Sequence, residues 1–226
     1  MPRLKPLKVQ GSHFKVKKLV HIAIDGPVAG GKGSAVLGLS ERLGIPCLDT
    51  GAIYRGIAVF VSKNGENFDN IGISASIIDG VTHIFLNGED VTGKLRDNEI
   101  SQIASRVATI PEVRKLCTKI SQDIAKNQSL IAEGRDICSV VLPDAKYKFY
   151  LTADVGVRAR RRYNELVARG QTVTYEQVLA ETKERDERDS TKGGLVQTPD
   201  AVVIDSTDMS IDQTVEFMLD LIDGKK

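Results

Sequence analysis

"HIAIDGPVAGGKGSAVLGLS", residues 21–40, crowds Gly26, Gly30, Gly31 and Gly33 between two apolar stretches. An ordinary turn needs one glycine or two. Ahead of the glycines, Leu19, Val20, Ile22, Ala23 and Ile24 form a short apolar run ended by Asp25-Gly26, as expected of a strand buried on both faces of a parallel sheet. From Ser34 the period changes: Val36, Leu37, Leu39, Ser40 and Leu43 recur at helical spacing, and Gly44 stops the helix. The local order is strand, glycine loop, helix. Gly26-Pro27-Val28-Ala29-Gly30-Gly31-Lys32-Gly33-Ser34 fits G-x-x-x-x-G-K followed by Gly-Ser, one residue off the strict phosphate-loop pattern. Small residues let backbone N–H groups turn inward around a polyphosphate, and the helix N-terminus adds its positive end. Lys32 then reaches the outer phosphates, and Ser34 faces Mg²⁺ or a phosphate.

Further along, Ile45 to Leu48 make a second short strand ending at Asp49-Thr50-Gly51, and Leu130 to Ala132 a third ending at Glu133-Gly134-Arg135-Asp136. Tyr147 to Leu151 and Ala201 to Ile204 supply the remaining strands. Charged residues cluster just after these carboxyl ends, where open parallel sheets bind ligands. The stretch between Arg55 and Glu133 is far longer than one helical crossover requires, so something is inserted. Within it, "HIFLNGEDVTG" carries an Asn87-Gly88 hairpin signal, and Glu99 to Thr109 and Pro111 to Lys126 read as helices, with Pro111 suited to begin the second. The fold class expected is α/β: a phosphate-loop-type parallel sheet flanked by helices, with a small inserted α+β lobe and a short lid. The expected bounds are a core at about 19–66 and 128–226, the lobe at about 67–127, and the lid at about 154–190.

Composition narrows the partners. The chain has 226 residues, and 31 Lys+Arg stand against 30 Asp+Glu, a net charge of +1. That removes the strong field of a dedicated nucleic-acid or anionic-membrane binder, so any anionic ligand must be held by local charge. No apolar stretch approaches a membrane span, and the N-terminal stretch lacks the apolar core of a secretory signal, so a cytoplasmic protein is expected. Residues 1–18 carry Arg3, Lys5, Lys8, Lys15, Lys17 and Lys18 with no acid, and read as a solvated basic tail. Cys47, Cys117 and Cys138 are odd in number, far apart and without metal-type spacing, as expected of buried reduced thiols.

Several motifs occur together and in order: "IAIDGPVAGGKGS", "LDTGAIYRGIA", "NGEDVTGKLR", "EISQIASRVATIPEVR", "AEGRDICSVVLPDA" and "KERDERDSTK". From about residue 20 to the end, the chain resembles the bacterial cytidylate kinases. The resemblance implies transfer of the γ-phosphate of ATP to CMP or dCMP with Mg²⁺, and binding of ATP at Gly26–Ser34. It implies Ser105, Arg114 and Asp136 around the cytosine, where a carboxylate accepts from the exocyclic amine and an arginine donates to the ring acceptors. Read alone, Asp136 or Arg114 is more readily a member of an ordinary ion pair; the shared motif order overturns that. The resemblance also implies Arg55 and Arg135 as clamps on the monophosphate, Arg185 and Asp189 at the ribose and the neighbouring phosphate, and Thr50 near the acceptor. "RARRR", residues 158–162, cannot aim every arginine one way on a helix. By resemblance Arg158 and Arg162 close over the transferring phosphoryl group, with Arg161 a further candidate. Glu133 is a candidate for orienting Mg²⁺ through water, with a capped turn or salt bridge as its other reading.

The chain departs from the family pattern in three places. Ala29-Gly30 reverses the more usual order and puts a Cβ where a positive φ is wanted. Lys192 replaces a frequent arginine and lacks its bidentate fork. Glu133 stands where Asp is frequent. Adenylate kinase is the nearest rival, but there is no room for a large β insertion between Arg162 and Arg185. A shikimate-type kinase calls for a smaller acceptor lobe. A UMP acceptor and a non-catalytic nucleotide-binding module are further alternatives. The latter sits poorly with an intact set of Lys32, Arg55, Arg135, Asp136, Arg185 and Asp189. A monomer is expected.

Overall fold

The protein is described by a computed structural model covering residues 19–66, 68, 71–192 and 194–224. The basic tail expected at 1–18 lies outside the described residues. Five strands form a wholly parallel sheet: β1 (His21–Asp25), β2 (Cys47–Asp49), β6 (Leu130–Gly134), β7 (Tyr147–Thr152) and β8 (Val202–Asp205), in the order β2-β6-β1-β7-β8. Alternation along the strands divides the core in two. Ile22, Ile24, Ile131, Phe149 and Leu151 point to one face, where Ala35, Val36 and Leu39 of α1 (Lys32–Leu43) and Val215 and Met218 of α7 (Ile211–Ile222) cover them. Ala23, Leu130 and Ala132 point to the other, beneath Ile137, Cys138 and Val141. Cys47, Cys117 and Cys138 are buried and unbridged.

Between β2 and β6 the chain runs through α2 (Thr50–Asn64), an antiparallel sheet of β3 (Ile73–Ile78), β4 (Val81–Leu86) and β5 (Glu89–Asp90), then α3 (Asn98–Val107) and α4 (Pro111–Ala125). Two tight turns shape the small sheet. Asp79-Gly80 has φ of 50° and 78°, and Asn87-Gly88 has 49° and 86°, the paired positive values that a type I′ hairpin demands. The Asn87-Gly88 hairpin matches its sequence signal, although β5 is only two residues long; the Asp79-Gly80 hairpin, the longer one, was not foreseen. Ile53 and Ile57 of α2, Ile84 of β4, Ile103 and Val107 of α3, and Val113 and Cys117 of α4 bury a second core. Pro111 opens α4 at its first turn, as its fixed φ favours.

Beyond β7, α5 (Val155–Ala168) and α6 (Tyr175–Thr191) pack together and complete the chain's approach to the sheet's carboxyl edge. Asp154 caps α5 through the N–H groups of Gly156 and Val157, and Thr174 with Gln177 makes a capping box on α6. Boundaries moved slightly from the sequence expectation: α1 begins at Lys32 rather than Ser34, because the glycine loop itself delivers helical geometry by that residue. Among the described residues no helix is long and apolar enough to cross a membrane.

Gly56 is where α2 crosses the small sheet. A Cβ there would lie 2.5 Å from Ile84 Cγ2 and 3.1 Å from Ile73 Cδ1, and Ile84 is fully buried. Gly56→Ala gains about 1 kcal/mol of helix propensity, but the overpacking it forces costs roughly 1–3 kcal/mol. A net loss is expected, read as a lower denaturant midpoint at unchanged slope; equal or greater stability would contradict this packing.

Candidate functional site

The glycine loop lies on the end of β7. A Cβ at Gly26, whose φ is +148°, would meet the Leu151 carbonyl oxygen at 2.0 Å, and one at Gly30 would meet it at 2.9 Å. Ala29 has φ +56°, in the left-handed region. The reversed Ala29-Gly30 order is thereby explained in part: the close approach to Leu151 leaves position 30 no room for a side chain, whereas position 29 has the strained backbone and carries the methyl. Gly31 precedes α1 with φ +91° and makes no side-chain cap. The first N–H groups of the helix are left for an anion.

Lys32 is buried, and its Nζ donates to the carbonyls of Gly26 and Pro27, both at 2.8 Å. Burial, with Arg135 adding repulsion, holds its ammonium well below the usual lysine range. Glu133 sits opposite, pushed up by burial and by Asp49. Its Oε1 is 3.2 Å from where a Cβ of Gly33 would lie, so the Gly33 that displaces the usual hydroxyl leaves space beside this carboxylate. Ser34 is exposed on the first turn of α1. A hydroxyl and a carboxylate are hard oxygen donors that fit Mg²⁺, which binds few protein ligands and completes its shell with water and phosphate oxygens. No group of three or more His, Cys, Asp and Glu gathers into a metal cage among the described residues.

Asp25 is fully buried and was missed as a site residue. Its two carboxylate oxygens accept the N–H groups of Ile137 and Cys138, both at 2.8 Å, at the start of a π-helical turn over Ile137–Val141. This clamp fixes the segment Gly134-Arg135-Asp136 above the loop. The residue's place at the end of β1 was legible; its partner was not.

Cations crowd the space above. Arg135 Nε donates to Asp189 Oδ2 at 2.6 Å, while Arg185 Nε stands 4.0 Å from that oxygen and, though buried, has no hydrogen-bond partner. Burial first, then Arg135, with Arg55 and Arg162 adding, lowers Arg185 to about 10. Burial alone would raise the Asp189 carboxyl, but Arg135 and Arg185 outweigh it and hold the group below its ordinary value. Arg55 pairs with Asp49, which also caps α2 through Ala52 N. Arg55, Arg135 and Arg185 are thus brought within mutual electrostatic reach, as an anion site requires.

The remaining sequence candidates fall differently. Arg114 pairs with Asp136, whose carboxyl is pushed up by burial against the pull of Arg114. Ser105 is buried and accepts from Arg188 at 2.8 Å, a residue sequence reading passed over inside "ERDERD". Thr50 is buried and donates to the Glu133 carbonyl at 2.7 Å, tying α2 to β6. Lys192 is exposed at the C-terminal end of α6. Arg158 is braced by Val28 O at 3.2 Å and by both oxygens of Asp186 at 3.0 and 2.7 Å, joining loop to α6. Arg162 donates to Asn98 and Glu165. Arg161, anchored on Ser206, has NH1 3.9 Å from where a Cβ of Gly31 would be. Only Arg160 of the four turns away, stacking on Tyr175 at 3.9 Å.

The family model described as cytidylate kinase matches residues 22–224. The chain belongs to the cytidylate kinase family. It is 41% identical over 209 residues to the cytidylate kinase of Fervidobacterium nodosum, covering 89% of this chain and 95% of that one. It is 41% identical over 216 residues to that of Caldicellulosiruptor bescii, covering 90% and 96%. Among solved structures, the shikimate kinase of Bacteroides thetaiotaomicron superposes with a TM-score of 0.50 at 12% identity, over 90% of this chain and 98% of that one. That likeness extends to the fold, a parallel sheet with a phosphate loop. The cytidylate kinase fold here therefore joins that loop to an arginine cluster at the sheet's carboxyl edge.

Asp189 sets a pH dependence. A carboxyl whose pKa is lower folded than unfolded contributes stability that is full above the ordinary value of 3.8 and lost as pH falls through the folded value. Asp189→Asn should lower Tm at pH 7, with the gap from wild type narrowing toward pH 3; a constant gap would contradict the pairing. At Ala29, left-handed alanine costs roughly 1–2 kcal/mol, only part of it recovered as glycine's extra unfolded-state entropy is avoided. Ala29→Gly should therefore stabilise by about 0.5–1 kcal/mol in denaturant unfolding; destabilisation would contradict the loop geometry.

Proposed function

We propose that the protein transfers the γ-phosphate of ATP to CMP and dCMP by in-line displacement, giving ADP and CDP or dCDP. The observation that carries the reading is the buried Nε of Arg185, which has no hydrogen-bond partner and lies beside the Arg135–Asp189 pair. Asp189 Oδ2, 4.0 Å from that Nε, already accepts from Arg135. An unsatisfied buried donor costs about 1–3 kcal/mol, which a bound phosphate oxygen would recover. Membership of the cytidylate kinase family supplies the acceptor.

In this reading Gly26–Ser34 cradle the ATP phosphates, and Lys32 exchanges the carbonyls of Gly26 and Pro27 for phosphate oxygens. Arg55 and Arg135 hold the acceptor phosphate, with Arg185 and Asp189 beside it and at the ribose. Ser105, Arg114 and Asp136 face the cytosine, whose exocyclic amine donates and whose N3 and O2 accept. Thr50 and Lys192 take supporting places near the acceptor. Arg158, Arg161 and Arg162 close the donor side, where catalysis is positioning and charge stabilisation rather than a covalent enzyme intermediate. Mg²⁺ would be held by Ser34 and, through water, by Glu133, and would supply charge neutralisation for the transfer. We further propose a cytoplasmic monomer without nucleic-acid or membrane partners; the net charge of +1 weighs against a polyanion or anionic-membrane partner.

The test is phosphoryl transfer from Mg-ATP to CMP, dCMP, UMP, AMP and shikimate, each alone. Fast turnover of CMP and dCMP, slow UMP and none of the others is expected. Turnover of AMP or shikimate alone, or none, would overturn the acceptor assignment. Lys32→Ala should abolish turnover with the thermal transition retained; near-normal activity would remove Lys32 from the transfer.

A further inference from the structure

Helix α3 has two faces. Ile100, Ile103, Ala104 and Val107 are buried in the second core. Asn98, Gln102 and Ser105, spaced four and three apart, form a polar stripe toward α5 and α6. Asn98 Oδ1 accepts from Arg162 at 3.2 Å, Gln102 Nε2 donates to Glu181 at 3.0 Å, and Ser105 Oγ accepts from Arg188 at 2.8 Å. Ser105 differs from its two neighbours in being only 4% exposed, so water does not average its rotamer.

Arg188 is well placed to fix that rotamer. It is held from its own helix by an ion pair with Glu184, one turn back. A guanidinium only donates, so Ser105 Oγ must accept from it, leaving one lone pair for another donor. Without that partner, a helical serine turns its hydroxyl to the carbonyl one turn earlier. Arg188 also lies between Arg185 and Asp189 in sequence, at helical spacing that puts all three on one side of α6. Arg185 and Asp189 belong to the cation cluster.

We infer that Arg188 is a positioning residue for acceptor choice: it holds Ser105 Oγ toward the acceptor base and, through α6, ties the base edge to the arginine cluster. The inference rests on the cytidylate reading above. Cytosine offers its exocyclic amine to the free lone pair of Ser105, whereas uracil presents a carbonyl oxygen there and has nothing to donate. Loss of Arg188 therefore falls on base discrimination and leaves the ATP side untouched.

The experiment measures kcat and KM for CMP, UMP and ATP in wild type, Arg188→Met, Arg188→Lys, Ser105→Ala and the Arg188→Met/Ser105→Ala double variant. A net neutral hydrogen bond is worth a two- to tenfold effect, so Arg188→Met should cut the CMP-over-UMP ratio of kcat/KM by about that much. The change should appear mainly as a raised KM for CMP, with KM for ATP within about twofold of wild type. Arg188→Lys, which still donates, should retain most of the ratio. The double variant should lose no more than Ser105→Ala alone, because the two act through one contact. An unchanged ratio in Arg188→Met, or losses that multiply in the double variant, would overturn the inference. Should Arg188→Met not fold, Arg188→Gln, whose shorter side chain breaks the contact with Ser105, takes its place in the same cycle. A wild type that does not prefer CMP to UMP would instead contradict the cytidylate reading itself.

Discussion

Asp189 stands between two guanidiniums and satisfies one. Its Oδ2 takes Arg135 Nε at 2.6 Å and leaves Arg185 Nε at 4.0 Å without a partner. A buried donor left without a hydrogen bond is costly, and it persists only where surrounding packing enforces it. Around this pair the chain commits three separate carboxyl-edge segments: Asp49-Thr50 after β2, Gly134-Arg135-Asp136 after β6, and the inner side of α6. Each brings a cation or a carboxylate that would be more stable in water. The arrangement makes sense when an anion shares the space.

What enforces the arrangement is a set of backbone clamps. Asp25 accepts two N–H groups from the π-helical turn and so sets the height of Arg135 and Asp136 over the loop. Thr50 fastens α2, and with it Arg55, to the Glu133 carbonyl. Gly26 and Gly30 allow the loop to lie on the Leu151 carbonyl. Arg158 spans Val28 and Asp186, joining loop and α6 through one side chain. These contacts are short in space and long in sequence, and they fix even the irregular segment that carries Arg135 and Asp136.

The sheet, the glycine loop and the hairpin at Asn87-Gly88 were legible because each is a local pattern: an apolar run, glycines before a helix, and a dipeptide that tolerates positive φ. The Asp79-Gly80 turn had an equally local signal and was overlooked. The grouping of Arg55, Arg135, Arg185 and Asp189 came from family resemblance, and their geometry could not come from spacing, since "ERDERD" reads equally as a solvated helix. Arg188 and Asp186 lie in that same run and remained hidden for that reason: only the approach of α3 and of the phosphate loop distinguishes them from surface charges. Asp25 was hidden differently, because a strand-terminal Asp before Gly is ordinary and only the return of the chain at Ile137 makes it a clamp. Lys192, singled out as a departure, stands exposed just past the last turn of α6.

The measurement that bears most directly on the cluster is the affinity of the wild-type protein for CMP against cytidine, by calorimetry at fixed ionic strength. If Arg55 and Arg135 seat a phosphate with Arg185 beside them, two charge-assisted contacts make CMP bind roughly a hundredfold tighter than cytidine, and Arg185→Met narrows that difference. Equal affinities for CMP and cytidine would mean that the cations of this cluster serve some purpose other than holding the acceptor phosphate.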